Sequence, residues 1–162
     1  MRRDPRLVRL SQEHHHALVL SLRIQRELPG ADAEGLKALY GDLLRFWAAG
    51  LLPHFGAENE CLLARIAHHS DAGLQHAGRL QRDHREIEAL VEAMRVARDT
   101  EERRDALARF GVALRDHVRW EESDLFEWLP GALGEAEMDA VGDYLARHLP
   151  ETPIAAPMPH DP

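Results

Sequence analysis

Thiol chemistry is almost missing from this chain, whose 162 residues include Cys61 as the single cysteine. That excludes an intrachain disulfide and any thiolate-rich zinc or iron–sulfur site, so metal work would fall to imidazole and carboxylate. Aromatic residues are few, at 6 %, and no apolar run is long enough to cross a bilayer, so no membrane partner is expected. A basic surplus is also lacking. The net charge is −8 and the arginines are dispersed among acids, which argues against nucleic acid, because phosphate binding needs a concentrated basic surface. No apolar stretch follows Met1-Arg2-Arg3, so this twin arginine reads as a solvated start rather than an export signal, and a cytoplasmic location is expected.

Histidine, by contrast, is abundant: the chain carries eleven. With 44 % hydrophobic and 30 % charged residues, the rest of the composition is that of a helical protein long enough to bury one core without disulfides. Ser11 is placed to cap a first helix running to about Leu28, where Pro29-Gly30 stops it. Asp32 is placed to cap a second running to about Ile66. Pro53 lies inside the second and frees the carbonyl of Ala49, predicting a kink or split just before His54. Ser70-Asp71 opens a third helix to about Arg98, and Thr100-Glu101-Glu102 a fourth that ends at Leu129-Pro130-Gly131. Four long helices with short loops imply an all-α, antiparallel up-down four-helix bundle. A shorter helix from about Glu135 to Leu149 is expected to pack on its outside. The domain is expected to span residues 1–150, followed by a disordered or extended proline-rich tail over 151–162, in which His160 has no expected role.

His54 with Glu58 and His117 with Glu121 form the same His-x-x-x-Glu pair twice, each followed by an amide or acidic residue, Asn59 or Glu122. Residues four apart on a helix lie about one turn, roughly 6 Å, from each other on one face. A weak two-fold repeat surrounds the pairs: Glu13-His14 precedes the first and Asp83-His84 the second. Every pair and every preceding histidine falls in an apolar stripe. The first helix reads Leu10, His14, Ala17, Ser21, Ile24; the second Trp47, Leu51, His54, Glu58, Leu62. The third reads Leu80, His84, Ile87, Val91, Met94, and the fourth Leu107, Phe110, Leu114, His117, Glu121, Leu125, Trp128. Two unpartnered carboxylates facing each other in an apolar interior would cost several kcal/mol, and a bound cation removes that cost. His68, His69, His76 and His148 have no matching carboxylate register and read as solvent-facing or loop residues, with His76 two turns before His84 keeping a small claim.

The metal ligands expected are therefore His14, His54, Glu58, His84, His117 and Glu121, with His15 a possible addition. This set exceeds the roughly four ligands of a tetrahedral zinc. Two ions with about six positions each would leave about two positions open after bridging carboxylates, histidines and a bridging oxygen are counted. Nitrogen and oxygen donors in a bundle suit iron first, with manganese or zinc as substitutes.

These residues resemble the hemerythrin-like, or HHE cation-binding, family, whose pattern is a histidine, His-x-x-x-Glu, a histidine and His-x-x-x-Glu on four bundle helices. The match covers roughly residues 7–130, and its most specific segment is His-Val-Arg-Trp-Glu-Glu-Ser-Asp-Leu-Phe from His117 to Phe126. The resemblance implies a non-haem di-iron centre, oxo- or hydroxo-bridged, with Glu58 and Glu121 bridging the ions. The chain departs from the oxygen-carrying members in having Leu80 and Glu88 where those carry a second histidine one turn from the third-helix ligand, and Glu122 where their last carboxylate is an aspartate. These departures weaken the expectation of reversible oxygen transport. Glu13 and Asp83 point about 100° away from the adjacent ligand and read as surface charge or as partners for a neighbouring helix. The function expected is a binding protein that senses or sequesters dioxygen, nitric oxide or iron. The alternatives are a di-iron enzyme acting on peroxide or nitric oxide or in iron–sulfur repair, and an interaction module with a structural metal. An enzyme needs a proton donor near an open position, and Tyr40, Glu60 and Glu122 are unconvincing by spacing, so the reading leans away from catalysis. A sensor would further require an output partner.

Overall fold

The computed structural model describes residues 3–159; Met1 and Arg2 of the N-terminal arginine pair, and His160, lie outside the described residues. All regular structure among the described residues is helical. The chain enters through a 3-10 turn, Pro5–Leu7, capped by Asp4, whose carboxylate accepts the Arg6 amide at 2.9 Å. Helix α1, Val8–Glu27, follows directly. Ser11 is thus not its cap, because Asp4 and Pro5 start the helical path about two turns earlier. A 3-10 turn at Leu28–Gly30 ends α1, and Asp32 caps the next helix by accepting the Gly35 amide at 2.8 Å.

The second rod is continuous but not uniform. It runs as α2 (Ala33–Phe46), a π turn (Trp47–Leu51), α3 (Leu52–Glu58), a second π turn (Asn59–Leu63) and α4 (Ala64–Ala67). Pro53 sits in the first turn of α3, where its missing N–H costs least, and the Leu52 amide reaches back five residues to the Trp47 carbonyl. The expected interruption before His54 is therefore a π turn. Ser70 caps α5, Asp71–Val96, by accepting the Gly73 amide at 3.1 Å. A Cβ at Gly73 would lie 2.0 Å from the Ile66 carbonyl oxygen, so this tight turn requires glycine. Asp99 rather than Thr100 caps α6, Thr100–Trp120. A third π turn, Glu121–Leu125, carries α6 into α7, Phe126–Ala132. Helix α8, Glu135–His148, buries Met138, Val141 and Leu145 against the outside of the bundle.

The expected apolar stripes are the buried faces, and they divide into two cores. One gathers Ile24, Leu43, Phe46, Phe55, Ile87, Met94, Phe110 and Leu114. The other gathers Leu7, Leu10, Leu62, Ile66, Leu80, Leu125, Phe126 and the inner face of α8. Each fully buried leucine or phenylalanine contributes about 1.5–3 kcal/mol, so the two cores clamp whatever lies between them. What lies between them is a layer of histidine and glutamate. Beyond Pro150, where a disordered or extended tail is expected, residues 151–159 have no regular secondary structure, and Ala156 is buried in the first core.

Candidate metal centre

Each helical rod delivers its ligand-type side chain to the same level. His14 comes from α1, His54 and Glu58 from α3, His84 from α5, His117 from the last turn of α6 and Glu121 from the π turn that follows. None of the six is more than 3 % exposed. They form two groups, His14, His54, Glu58 and Glu121, and Glu58, His84, His117 and Glu121, in each of which the donor atoms lie within 4.8 Å of one another. Both glutamates belong to both groups. Glu58 turns Oε1 to His54 Nε2 at 3.1 Å and Oε2 to His84 Nε2 at 3.2 Å. Glu121 presents Oε2 to His14 Nε2 at 3.0 Å and His117 Nε2 at 3.3 Å. His15, by contrast, is exposed, its ring beside that of His16, and it is not brought into the cluster. A position one residue after His14 turns by about 100° on an α-helix, which carries it off the inner face.

The outer ring nitrogens show how the histidines are aimed. His14 Nδ1 donates to Glu122 Oε1 at 2.6 Å, His54 Nδ1 to Glu13 Oε2 at 2.7 Å and His84 Nδ1 to Asn59 Oδ1 at 3.0 Å. His117 Nδ1 faces Asp83 Oδ2 at 3.6 Å. With the proton drawn to Nδ1, the Nε2 lone pair points inward, the tautomer a metal ligand needs. The pattern is cyclic: the residue before each lone histidine faces the histidine of a pair, Glu13 within hydrogen-bond distance and Asp83 beyond it, and the residue after each pair bonds a lone histidine. Asn59 reaches its target from the π turn that begins directly after Glu58, and Glu122 from the one that begins at Glu121. Ser11 Oγ donates to Glu122 Oε1 at 2.7 Å and Arg3 Nη2 to Oε2 at 2.5 Å, so this carboxylate is itself held from two sides.

The inward atoms are unsatisfied by one another. All four carboxylate oxygens of Glu58 and Glu121 and Nε2 of His84 and His117 are buried without a hydrogen bond among the described residues, as is the outer Nδ1 of His117. The Nε2 atoms of His14 and His54 stand 3.1 Å apart, a separation at which two lone pairs repel unless a proton or cation lies between. Buried polar atoms normally find partners, and a cluster that points lone pairs at lone pairs is the donor set of a cation site.

The same electrostatics govern the protein without a bound cation. Burial opposes a charge on His14, but Glu121, Glu122 and Glu58 outweigh it and hold its pKa well above the ordinary imidazole range. Burial likewise opposes a charge on His54, which Glu58 and Glu13 nonetheless raise to about 9. Glu58 is held well below the carboxylate range, since the charge on His54 and contacts with His14 and His84 overcome its burial. Burial would raise Glu122, yet His14, Ser11 and Arg3 bring it down to about 2. The site thus stores protons on imidazole that a cation must displace.

Other sequence candidates lie elsewhere. His76 packs 4.8 Å from the Trp128 ring, His148 stacks on Tyr144 at 3.9 Å, and His68 and His69 are exposed. Leu80 is buried in the second core and Glu88 is exposed, so neither position adds a ligand. Tyr40 lies under Arg103, and Glu60 is exposed. Among the described residues no helix is long and apolar enough to cross a membrane.

A helical bundle whose four rods converge on buried histidine and glutamate, with two carboxylates common to two donor groups, defines a protein able to bind metal at a binuclear cation site. The family model of the hemerythrin HHE cation-binding domain matches residues 6–129, and the chain belongs to that family. No curated protein and no solved structure matches the chain.

Proposed function

We propose that this chain is a non-haem di-iron protein that binds or senses a small uncharged ligand such as dioxygen or nitric oxide. The observation that carries the reading is the pair of glutamates shared between two buried groups of nitrogen and oxygen donors. His14 and His54 would hold one ion and His84 and His117 the other, with Glu58 and Glu121 common to both. Imidazole and carboxylate without thiolate suit iron, and manganese or zinc compete for the same donors. Bound iron would supply redox-active positions at which a diatomic molecule can bind.

The chain's own groups do the rest. Glu122, Glu13 and Asn59 fix the imidazole tautomers. Phe55 stacks on His84 at 4.0 Å and Phe126 on His14 at 5.3 Å, which excludes water from the ring faces. A binding role is favoured over catalysis by the state of the proton donors: Glu122 is already committed to His14, Ser11 and Arg3, while Tyr40 and Glu60 lie elsewhere. Metal analysis of untagged protein purified without added metal, with absorption spectra before and after exposure to air and nitric oxide, tests the reading. About two irons per chain with gas-dependent bands are expected; one zinc per chain with no gas response would replace it with a structural bundle.

A further inference from the structure

The apolar wall beside the centre is not completed by the helices. Ala17, Phe46, Leu51, Phe55, Leu114 and Val118 line a small cavity together with Glu13, His14 and His54, and Ile154 of the C-terminal tail completes its wall. Ile154 is 40 % exposed, so it lies at the mouth rather than in the interior. The tail's polar anchors are slight. Arg23 Nη1 donates to the Pro157 carbonyl at 3.0 Å, and the Ala156 amide donates to His16 Nδ1 at 3.3 Å. Pro153, Pro157 and Pro159 offer no amide donors.

Each long helix keeps its hydrogen-bond ladder and an apolar stripe, whereas this segment holds on through Ile154, Ala156 and these bonds. Segments of that kind occupy the low end of local stability and open before the rest. Departure of the tail would also leave no charge stranded, because Arg23 remains paired with Asp42 at 2.7 Å and Glu27 at 3.0 Å. We propose that residues 151–157 form a strap that opens and closes the apolar approach to the His14–His54 end of the centre, and so sets the rate at which a small uncharged molecule arrives. The identity of that molecule rests on the iron reading above; the motion of the strap does not.

The strap can be locked in the full chain. A Cβ at Gly50 would lie 3.6 Å from the Ile154 Cβ, within the roughly 3.5–4.5 Å that a disulfide spans. It would also meet the Phe46 ring edge at 3.3 Å, a contact that a small ring movement relieves. Gly50→Cys combined with Ile154→Cys therefore gives one protein in two forms, oxidised and reduced, and the buried Cys61 does not compete. In metal-free protein, hydrogen–deuterium exchange at the Ala156 amide is expected to be far faster than in α5 and α6 when the cysteines are reduced, and at least tenfold slower when they are joined. Ala156 protection equal to that of the helices in the reduced form would overturn the strap. In iron-loaded, reduced-metal protein, stopped-flow association of nitric oxide is expected to slow at least tenfold on locking and to speed up severalfold in Ile154→Ala. Rates within twofold of each other in the locked and open forms, at equal iron content, would overturn the gating. Absence of iron or of a nitric oxide response in the unaltered chain would sink the iron reading instead, and the exchange arm, which uses no metal, still decides whether the strap opens.

Discussion

At the His14–His54 end of the centre both outer ring nitrogens donate to carboxylates, at 2.6 and 2.7 Å. At the His84–His117 end one donates to the Asn59 amide at 3.0 Å and the other stands 3.6 Å from Asp83. The inner donor sets are chemically alike, two imidazoles and the same two glutamates, so the difference lies entirely in what stands behind the rings. A carboxylate behind an imidazole aims it and raises its basicity more than a neutral amide oxygen does. At a pH where the imidazoles are neutral, the first end is therefore expected to be the stronger cation site and to load first. Similar ligands do not make equivalent sites when their hydrogen-bond partners differ in charge.

The largest effect should come from removing a residue common to both ends. Glu58→Ala is expected to take metal content from about two ions per chain to nearly none by elemental analysis, whereas His148→Ala, on the outer surface, changes nothing. Equal metal in the two variants would show that the centre lies elsewhere. One step smaller, His14→Ala and His84→Ala should each lose about half the metal, and the ion that remains should be bound more weakly in His14→Ala, where the stronger end has been broken. Indistinguishable residual affinities by calorimetry would erase the proposed difference between the ends.

A subtler change targets the partners alone. Glu122→Gln keeps the shape of the contact to His14 but removes its charge, and an affinity loss of about 10–100-fold at the first end is expected. Asp83→Asn, at its longer distance, should cost less at the second. The reverse order in a competitive chelator titration would refute the argument from charge.

The smallest effect concerns the cation-free chain and pH. His54 has its pKa raised from 6.5 to about 9 in the fold, so its contribution to stability is fully present below pH 6.5 and is lost as pH rises through 9. Glu122 is lowered from 4.5 to about 2, so its contribution is present above pH 4.5 and is lost as pH falls through 2. The melting temperature of cation-free protein should accordingly fall between pH 6.5 and 9, and the fall should shrink in His54→Gln. A flat profile over that range would contradict the assigned proton.

Much of this arrangement is legible in the chain itself because its signals are local. Asp32 and Ser70 cap as their chemistry dictates, Pro53 marks the break before His54, and the 3.6-residue stripes carry the six ligand-type residues to one level. What escapes such reading depends on departures from that period or on contacts distant in sequence. Asn59 and Glu122 are visible as polar residues after each pair, but the π turns that direct them at His84 and His14 leave no mark in an α-helical register. Ser11 looks like a cap because serine before an apolar run usually is one; here Asp4 starts the helix and frees Ser11 for Glu122. His15 shares the composition of its neighbours and not their direction. The tail, rich in proline, gives no hint that Arg23 and His16 will hold it down.

The two π turns after Glu58 and Glu121 carry a further consequence for what the coding sequence tolerates. A π turn accommodates about one residue more than an α turn, so deleting one residue after the glutamate, from 59–63 or 122–125, would let the backbone close into an ordinary helix without a break. The surplus residue alone would be lost, so the downstream side chains, Ile66 after the first turn and Phe126 and Leu129 after the second, would keep the buried faces they now occupy, whereas the same deletion inside α5 would turn everything after it by about 100°. An in-frame loss of a single codon at these points should therefore spare the core and cost chiefly the aim of Asn59 or Glu122, while the same loss in the middle of α5 should act like several simultaneous core substitutions.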